Sequence, residues 1–267
     1  MGIPEPSPQA RAVVTGASSG IGMALARELA ARGHGLIVVA RRGDVLEELA
    51  SELRERHRVA VEVRAIDLSD PTAVTVLCGE LAGREISILA NNAGVATFGP
   101  LVELDSDYER AQVRLNVNAV HDLTLAVLPQ MVRRGAGGIL MVGSAAGNMP
   151  IPNNATYAAS KAFVNTFSES VRGEVADAGV HVTLLAPGPV RAETPSDDEA
   201  SNIDANVPGF LWHDTTKVAK MSLDALGRNK MRVVPGVLSK AMSVAGGYSP
   251  RKITAPIVGS FYRKLGE

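Results

Sequence analysis

The arrangement of apolar runs constrains this chain most. Ala12-Val13-Val14, Leu36-Ile37-Val38-Val39-Ala40, Val59-Ala60-Val61-Glu62-Val63, Ile86-Ser87-Ile88-Leu89, Ile139-Leu140-Met141-Val142 and Val180-His181-Val182-Thr183-Leu184-Leu185 are short, rich in β-branched residues and mostly without polar alternation. Strands of that kind suit a sheet buried on both faces, which is the condition of parallel sheets. Between them the spacing turns helical. Residues 21 to 30 end at the stop signals Gly33 and Gly35, and Val45, Leu46, Leu49 and Leu53 recur at three and four residues. Asp70-Pro71 caps and opens a third helix, and further helices are predicted over 106 to 134 and about 154 to 178. Six strand–helix alternations predict an α/β fold with a doubly wound parallel sheet. No linker or repeat divides residues 1–236 from 237–267, so the second segment is read as an extension of the same domain.

Composition narrows the function. The 267 residues are 46% hydrophobic and 21% charged, which suits a globule with ample core. Twenty-seven basic against 28 acidic residues leave a net charge of -1, which argues against nucleic acid as a partner. The single cysteine, Cys78, cannot close an intrachain disulfide and is read as a packed thiol. His34, His57, His121, His181 and His213 are scattered without metal-ligand spacing, so no metal is expected. Residues 1 to 10 lack a signal-peptide pattern, and no apolar run approaches the roughly 18 residues of a membrane span. A cytoplasmic protein is expected, resting at most on the inner membrane surface.

Thr15-Gly16-Ala17-Ser18-Ser19-Gly20-Ile21-Gly22 puts three glycines between the first strand and the first helix. Glycine allows a sharp turn and a close backbone approach to a pyrophosphate, and the helix N-terminus attracts the anion. A dinucleotide site is expected there. An acidic residue at the end of the second strand would select NAD by binding its 2′-hydroxyl; this chain has Arg41-Arg42 instead. Two guanidiniums suit a 2′-phosphate, so NADPH/NADP+ is the expected cofactor. Further on, Tyr157 and Lys161 are four residues apart in a predicted helix, so they share one face. An ammonium about 4 Å from a phenol favours the phenolate by roughly 4 kcal/mol at an effective dielectric of about 20, enough to make Tyr157 a proton donor near neutral pH.

Five motifs in order resemble the short-chain dehydrogenase/reductase family over residues 10 to 236. They are the glycine turn, Asn91-Asn92-Ala93-Gly94, Asn116, Ser144 with Tyr157-x-x-x-Lys161, and Pro187-Gly188. A second Y-x-x-x-K, Tyr248 to Lys252, contains Pro250 and has Pro235 where a serine would be needed. The resemblance implies a Rossmann-type fold and a catalytic set of Asn116, Ser144, Tyr157 and Lys161. Ser144 would bind the substrate carbonyl, Lys161 would hold the nicotinamide ribose, and Asn116 would anchor a proton-relaying water. By the same resemblance Gly16, Ser18, Ser19, Gly20, Ile21 and Gly22 hold the pyrophosphate, and Asp67 and Leu68 line the adenine. Asn92, Ala93 and Gly94 lie beside the adenosine ribose, and Pro187, Gly188 and Val190 face the carboxamide. The chain departs from the family at Ala192, where a threonine is often found; Thr194 comes two residues later. Dimers or tetramers through the long helices are implied.

Within that family the chain looks like the short-chain reductases assigned to the last reductive step of mycolic acid synthesis. The segments that carry this are Val120 to Pro129, Arg228 to Gly236 and Ala255 to Gly266. The implied substrate is a long-chain β-keto acyl group, reduced to a β-hydroxy acyl group. Residues 231 to 267 hold six basic residues and one acidic, interspersed with Val237, Leu238, Met242, Val244, Ile257, Val258 and Phe261. Such a tail suits an acyl platform or an anionic membrane surface, and equally packing on its own sheet or on a partner subunit. Two other readings stay open: a general NADPH-dependent reductase of small ketones, steroids or short acyl thioesters, and a non-catalytic NADPH sensor or scaffold.

Overall fold

In a computed structural model, residues 4–188 and 213–236 are described here. Val190, Ala192, Thr194, the second Y-x-x-x-K and the 237–267 extension lie outside the described residues. The chain alternates β1 (Arg11–Thr15), α1 (Gly20–Ala31), β2 (Leu36–Ala40), α2 (Gly43–His57), β3 (Val61–Ala65), α3 (Pro71–Ala82) and β4 (Ile86–Asn91). It continues with α4 (Ser106–Val113), a π-helical turn (Arg114–Asn118), α5 (Ala119–Arg134), β5 (Gly137–Val142) and a 3-10 turn (Ala145–Asn148). Then follow α6 (Ala155–Glu174), β6 (Val180–Leu185), α7 (Thr215–Gly227) and β7 (Arg232–Val233).

All strand pairs are parallel, in the order β3-β2-β1-β4-β5-β6-β7. The unalternated strands are explained by burial on both sides. In β2, Leu36, Val38 and Ala40 enter the core shared with α1, α2 and α7, while Ile37 and Val39 enter the core shared with α3, α5 and α6. The strand order reverses between β1 and β4, so their connections leave on opposite faces and open a crevice at the carboxyl ends.

The sequence-derived elements hold with physical adjustments. β3 starts two residues later than the apolar run, because Arg58 caps α2 in the left-handed conformation (φ 56) and Val59-Ala60 serve as the connection. The predicted 106–134 helix is one run with a π turn at its middle, and α6 stops at Glu174 rather than near 178. Asp70 caps α3 as expected, accepting from the Thr72 N–H at 2.9 Å. The seventh strand was not expected: two residues are too short to give a pattern, and β7 exists because β6 offers it an edge.

Two glycines test the packing. A Cβ on Gly22 would lie 2.2 Å from the Gly16 carbonyl oxygen, whereas one on Gly79, exposed on α3, meets nothing within 4 Å. Gly79→Ala is expected to raise stability by about 0.5–1 kcal/mol, and Gly22→Ala to lower it by about 1–3 kcal/mol. Urea midpoints of both variants check this.

Candidate active site

The first glycine turn is built from left-handed backbone and close approach. Gly16 and Gly20 have φ of 67° and 52°, a region open to glycine. A Cβ on Gly16 would lie 2.8 Å from Asn92 Nδ2 and 2.9 Å from Ala93 Cα. Ser19 caps α1 without a side-chain hydrogen bond, and the first turn holds no acidic residue. The first-turn N–H groups and the positive helix end are therefore left for an anion, which fits a dinucleotide pyrophosphate. Arg42 folds onto this turn, its Nη2 donating to the Ser18 carbonyl at 3.0 Å and to Ser18 Oγ at 3.2 Å. Arg41 beside it is exposed. Thus Ser18, Gly20 and both arginines are gathered at one end of the crevice.

The rim is made by β3, β4 and β6. Asp67 is exposed and accepts from the N–H and hydroxyl of Ser69, both at 2.8 Å. Leu68 is buried in the core on the α3 face. Asn92 is tied to β1: its N–H donates to Thr15 Oγ1 and its Nδ2 to the Thr15 carbonyl, both at 2.9 Å. Ala93 donates its N–H to the same hydroxyl at 3.0 Å. A Cβ on Gly94 would stand 3.2 Å from both Lys161 Nζ and Asn116 Oδ1, so the missing side chain leaves room between them. Pro187 accepts from the Ala145 N–H at 3.1 Å, and Gly188 is half-buried.

Ser144, Tyr157, Lys161 and Asn116 come together at the carboxyl ends of β4 and β5. Ser144 is buried and caps the 3-10 turn, its Oγ accepting from the Ala146 N–H at 3.1 Å. Among the described residues its own O–H has no acceptor, so that hydrogen is available to a ligand. Lys161 is buried, donates to the Val142 carbonyl at 2.9 Å, and stands 5.7 Å from the centroid of the Tyr157 ring. The ammonium thus lies over the ring, in keeping with the shared helix face expected from the four-residue spacing. Burial pushes its pKa down from 10.5 to about 8. Asn116 sits in the π turn, a feature often found at functional sites. Its Nδ2 donates to the Val95 carbonyl at 2.8 Å and to Ser160 Oγ at 3.1 Å, and its Oδ1 accepts from the Val95 N–H at 3.0 Å. Both amide donors are used, and one lone pair of Oδ1 is left for a water.

Residues not anticipated from the sequence hold this set in place. Asn165, one turn beyond Lys161, grips the backbone of Ser144, and Gly147 packs so tightly on α6 that a Cβ would lie 2.5 Å from the Lys161 carbonyl carbon. The i+4 spacing from Lys161 was a usable signal for Asn165. His181 is buried with Nδ1 2.8 Å from the Leu226 carbonyl, and burial lowers the His34 pKa. Burial also raises the Cys78 thiol to about 11, in keeping with a packed side chain.

The family described as short chain dehydrogenase matches residues 10–202. Sulfoacetaldehyde reductase 2 of Chromohalobacter salexigens is 39% identical over 208 residues, which is 76% of this chain and 81% of that protein. The human very-long-chain 3-oxoacyl-CoA reductase is 35% identical over 180 residues, covering 66% of this chain and 58% of its own length. Among solved structures, a short-chain dehydrogenase from Sphingobium yanoikuyae in complex with NADPH superposes with a TM-score of 0.78 at 30% identity, covering 89% of this chain and 92% of that one.

The buried lysine makes a pH prediction. Unfolded, Lys161 regains its ordinary value near 10.5, so between about pH 8 and 10.5 the unfolded chain binds the additional proton and stability rises with pH through that window. Below pH 8 both states are protonated and the burial penalty is present in full. Urea midpoints of the ligand-free protein, compared with Lys161→Met between pH 7.5 and 10, are expected to rise more in the parent.

Proposed function

The chain belongs to the short-chain dehydrogenase family, and from that premise we propose that it uses NADPH to reduce the ketone of a long β-keto acyl group to a β-hydroxy acyl group. The observation that carries the reading is the Ser144 hydroxyl, whose hydrogen has no acceptor among the described residues, on the same crevice as Tyr157 and a buried Lys161. Gly16, Ser18, Ser19, Gly20, Ile21 and Gly22 would hold the pyrophosphate, and Arg41 and Arg42 the 2′-phosphate. Asp67, Leu68, Asn92, Ala93, Gly94, Pro187, Gly188 and Val190 would line the remainder of the cofactor. When bound, NADPH supplies a hydride to the carbonyl carbon. The chain's own residues supply the rest. Ser144 donates a hydrogen bond to the carbonyl oxygen, where negative charge develops. Tyr157 gives that oxygen its phenolic proton, and the Lys161 ammonium beside the ring stabilises the phenolate left behind. Asn116, with one lone pair of Oδ1 on the lysine's side, would seat the water from which the proton is restored.

Support for the acyl substrate comes from the segment that follows Gly94. Leu101 and Val102 on it are 56% and 92% exposed and would offer apolar contact to a long chain. The human relative named as a very-long-chain 3-oxoacyl-CoA reductase points the same way. The finer proposal is the keto-mycolate step of mycolic acid synthesis, which rests on the three sequence segments that resemble that subgroup. A small-carbonyl substrate is the second reading, favoured by the 39% identity to a sulfoacetaldehyde reductase. Exposed Val113, Leu125 and Val132 on α4 and α5 suit a homo-oligomer. Among the described residues no helix is long and apolar enough to cross a membrane.

Tyr157→Phe is expected to bind NADPH within about threefold of the parent and to lose turnover by about 10²–10⁴-fold, measured with β-keto acyl thioesters of increasing chain length. Equal slow NADPH oxidation by parent and variant with every carbonyl would favour a sensor, and a preference for the shortest substrates would favour the small-carbonyl reading. Replacing Arg41 and Arg42 by alanine is expected to weaken NADPH about 10- to 100-fold with NADH little changed; an unchanged ratio of the two affinities removes the 2′-phosphate assignment.

A further inference from the structure

Helix α6 carries a third polar side chain on the face of Tyr157 and Lys161. Asn165 follows them by eight and four residues and is buried. Its Nδ2 donates to the Ser144 carbonyl at 3.0 Å and to Asn148 Oδ1 at 3.2 Å, and its Oδ1 accepts from the Ser144 N–H at 3.4 Å. The orientation of the amide is determined, because turning it over would set its oxygen against two oxygen acceptors and its nitrogen against an N–H. Asn148 Oδ1 is fixed in turn by Arg232 of β7, whose Nη2 donates to it at 2.8 Å.

A second observation comes from the neighbouring glycine. Gly143 is not among the residues with positive φ, so its backbone does not itself call for glycine. A Cβ there would lie 2.0 Å from Asn165 Oδ1, so the absent side chain makes room for that amide. The same stretch of chain holds the group that matters. Ser144 Oγ accepts from the Ala146 N–H, and the direction of its remaining O–H follows from where the backbone of Ser144 is held.

We propose that Asn165 is a positioning residue for the reduction: by gripping both the N–H and the carbonyl of Ser144, it aims the serine hydroxyl at the substrate carbonyl. The inference rests on the role given to Ser144 above, and the two can fail separately. A residue that only filled space would act on stability and leave the serine out of account. One that aims the serine acts only while the hydroxyl is present.

The test is a double-mutant cycle on the full chain. Asn165→Leu, close in size and without hydrogen-bonding groups, is expected to lower kcat about 10- to 100-fold with NADPH affinity unchanged. In the Ser144→Ala background the same change is expected to cost less than about twofold. A loss that multiplies in that background, or a parent-like kcat in Asn165→Leu, overturns the proposal. Should Asn165→Leu fail to fold, Asn148→Ala replaces it, with an expected kcat loss of about 2- to 10-fold that likewise vanishes with Ser144→Ala. If Ser144→Ala turns over like the parent, the role of the serine fails and the aiming proposal fails with it. Amide hydrogen exchange over residues 143–149 then shows whether the grip itself exists: faster exchange in Asn165→Leu than in the parent retains it as a structural contact, and equal exchange removes that as well.

Discussion

The hydroxyl of Thr15 is the point on which the site depends. It ends β1, donates to the Ala90 carbonyl at 3.3 Å, and accepts from the N–H groups of Asn92 and Ala93, while Asn92 Nδ2 returns a bond to the Thr15 carbonyl. These bonds join the carboxyl ends of the two strands at which the sheet changes winding direction. One connection leaves toward α1 and the other toward α4, which opens the crevice between them. Gly16 of the glycine turn and Asn92-Ala93 after β4 meet across this joint, which is why residues nearly 80 positions apart share a surface.

Amide side chains stabilise the rest of the site by holding backbone rather than ligand. Asn116 clamps Val95, and Asn165 clamps Ser144. Each pairs with main-chain groups of a partly or fully buried segment, and so removes freedom from it. The cost is concentrated at Lys161. It is buried against a neutral carbonyl, and burial disfavours its charge.

Much of this was legible in sequence, for a reason that differs by element. β2 and β6 were read to the residue because every position of both is buried, so β-branched and apolar residues run up to their ends, with only His181 and Thr183 of β6 polar. α3 was legible from Asp70-Pro71, a cap that acts locally. β3 was misplaced by two residues because it is an edge strand whose boundary is set by the αL cap at Arg58, which no periodicity records. β7 was missed, since a two-residue strand is stabilised by its neighbour rather than by its own composition. Asn165 went unread because its spacing from Lys161 places it on the site's face without naming a partner, and Ser144 is 21 residues away in the chain.

What the sequence determined alone was whatever local chemistry dictates: the parallel sheet from its unalternated strands, the glycine turn from the need for left-handed backbone, and the shared face of Tyr157 and Lys161 from helical spacing. Only the tertiary structure decided which of those groups meet, and how far each is removed from water. The burial of Lys161, its distance from the phenol, the joint between Thr15 and Asn92, and the grip of Asn165 on Ser144 all arise between segments distant in the chain. Desolvation and hydrogen-bond geometry are properties of the space between elements, and that space exists only once both faces of the sheet are covered.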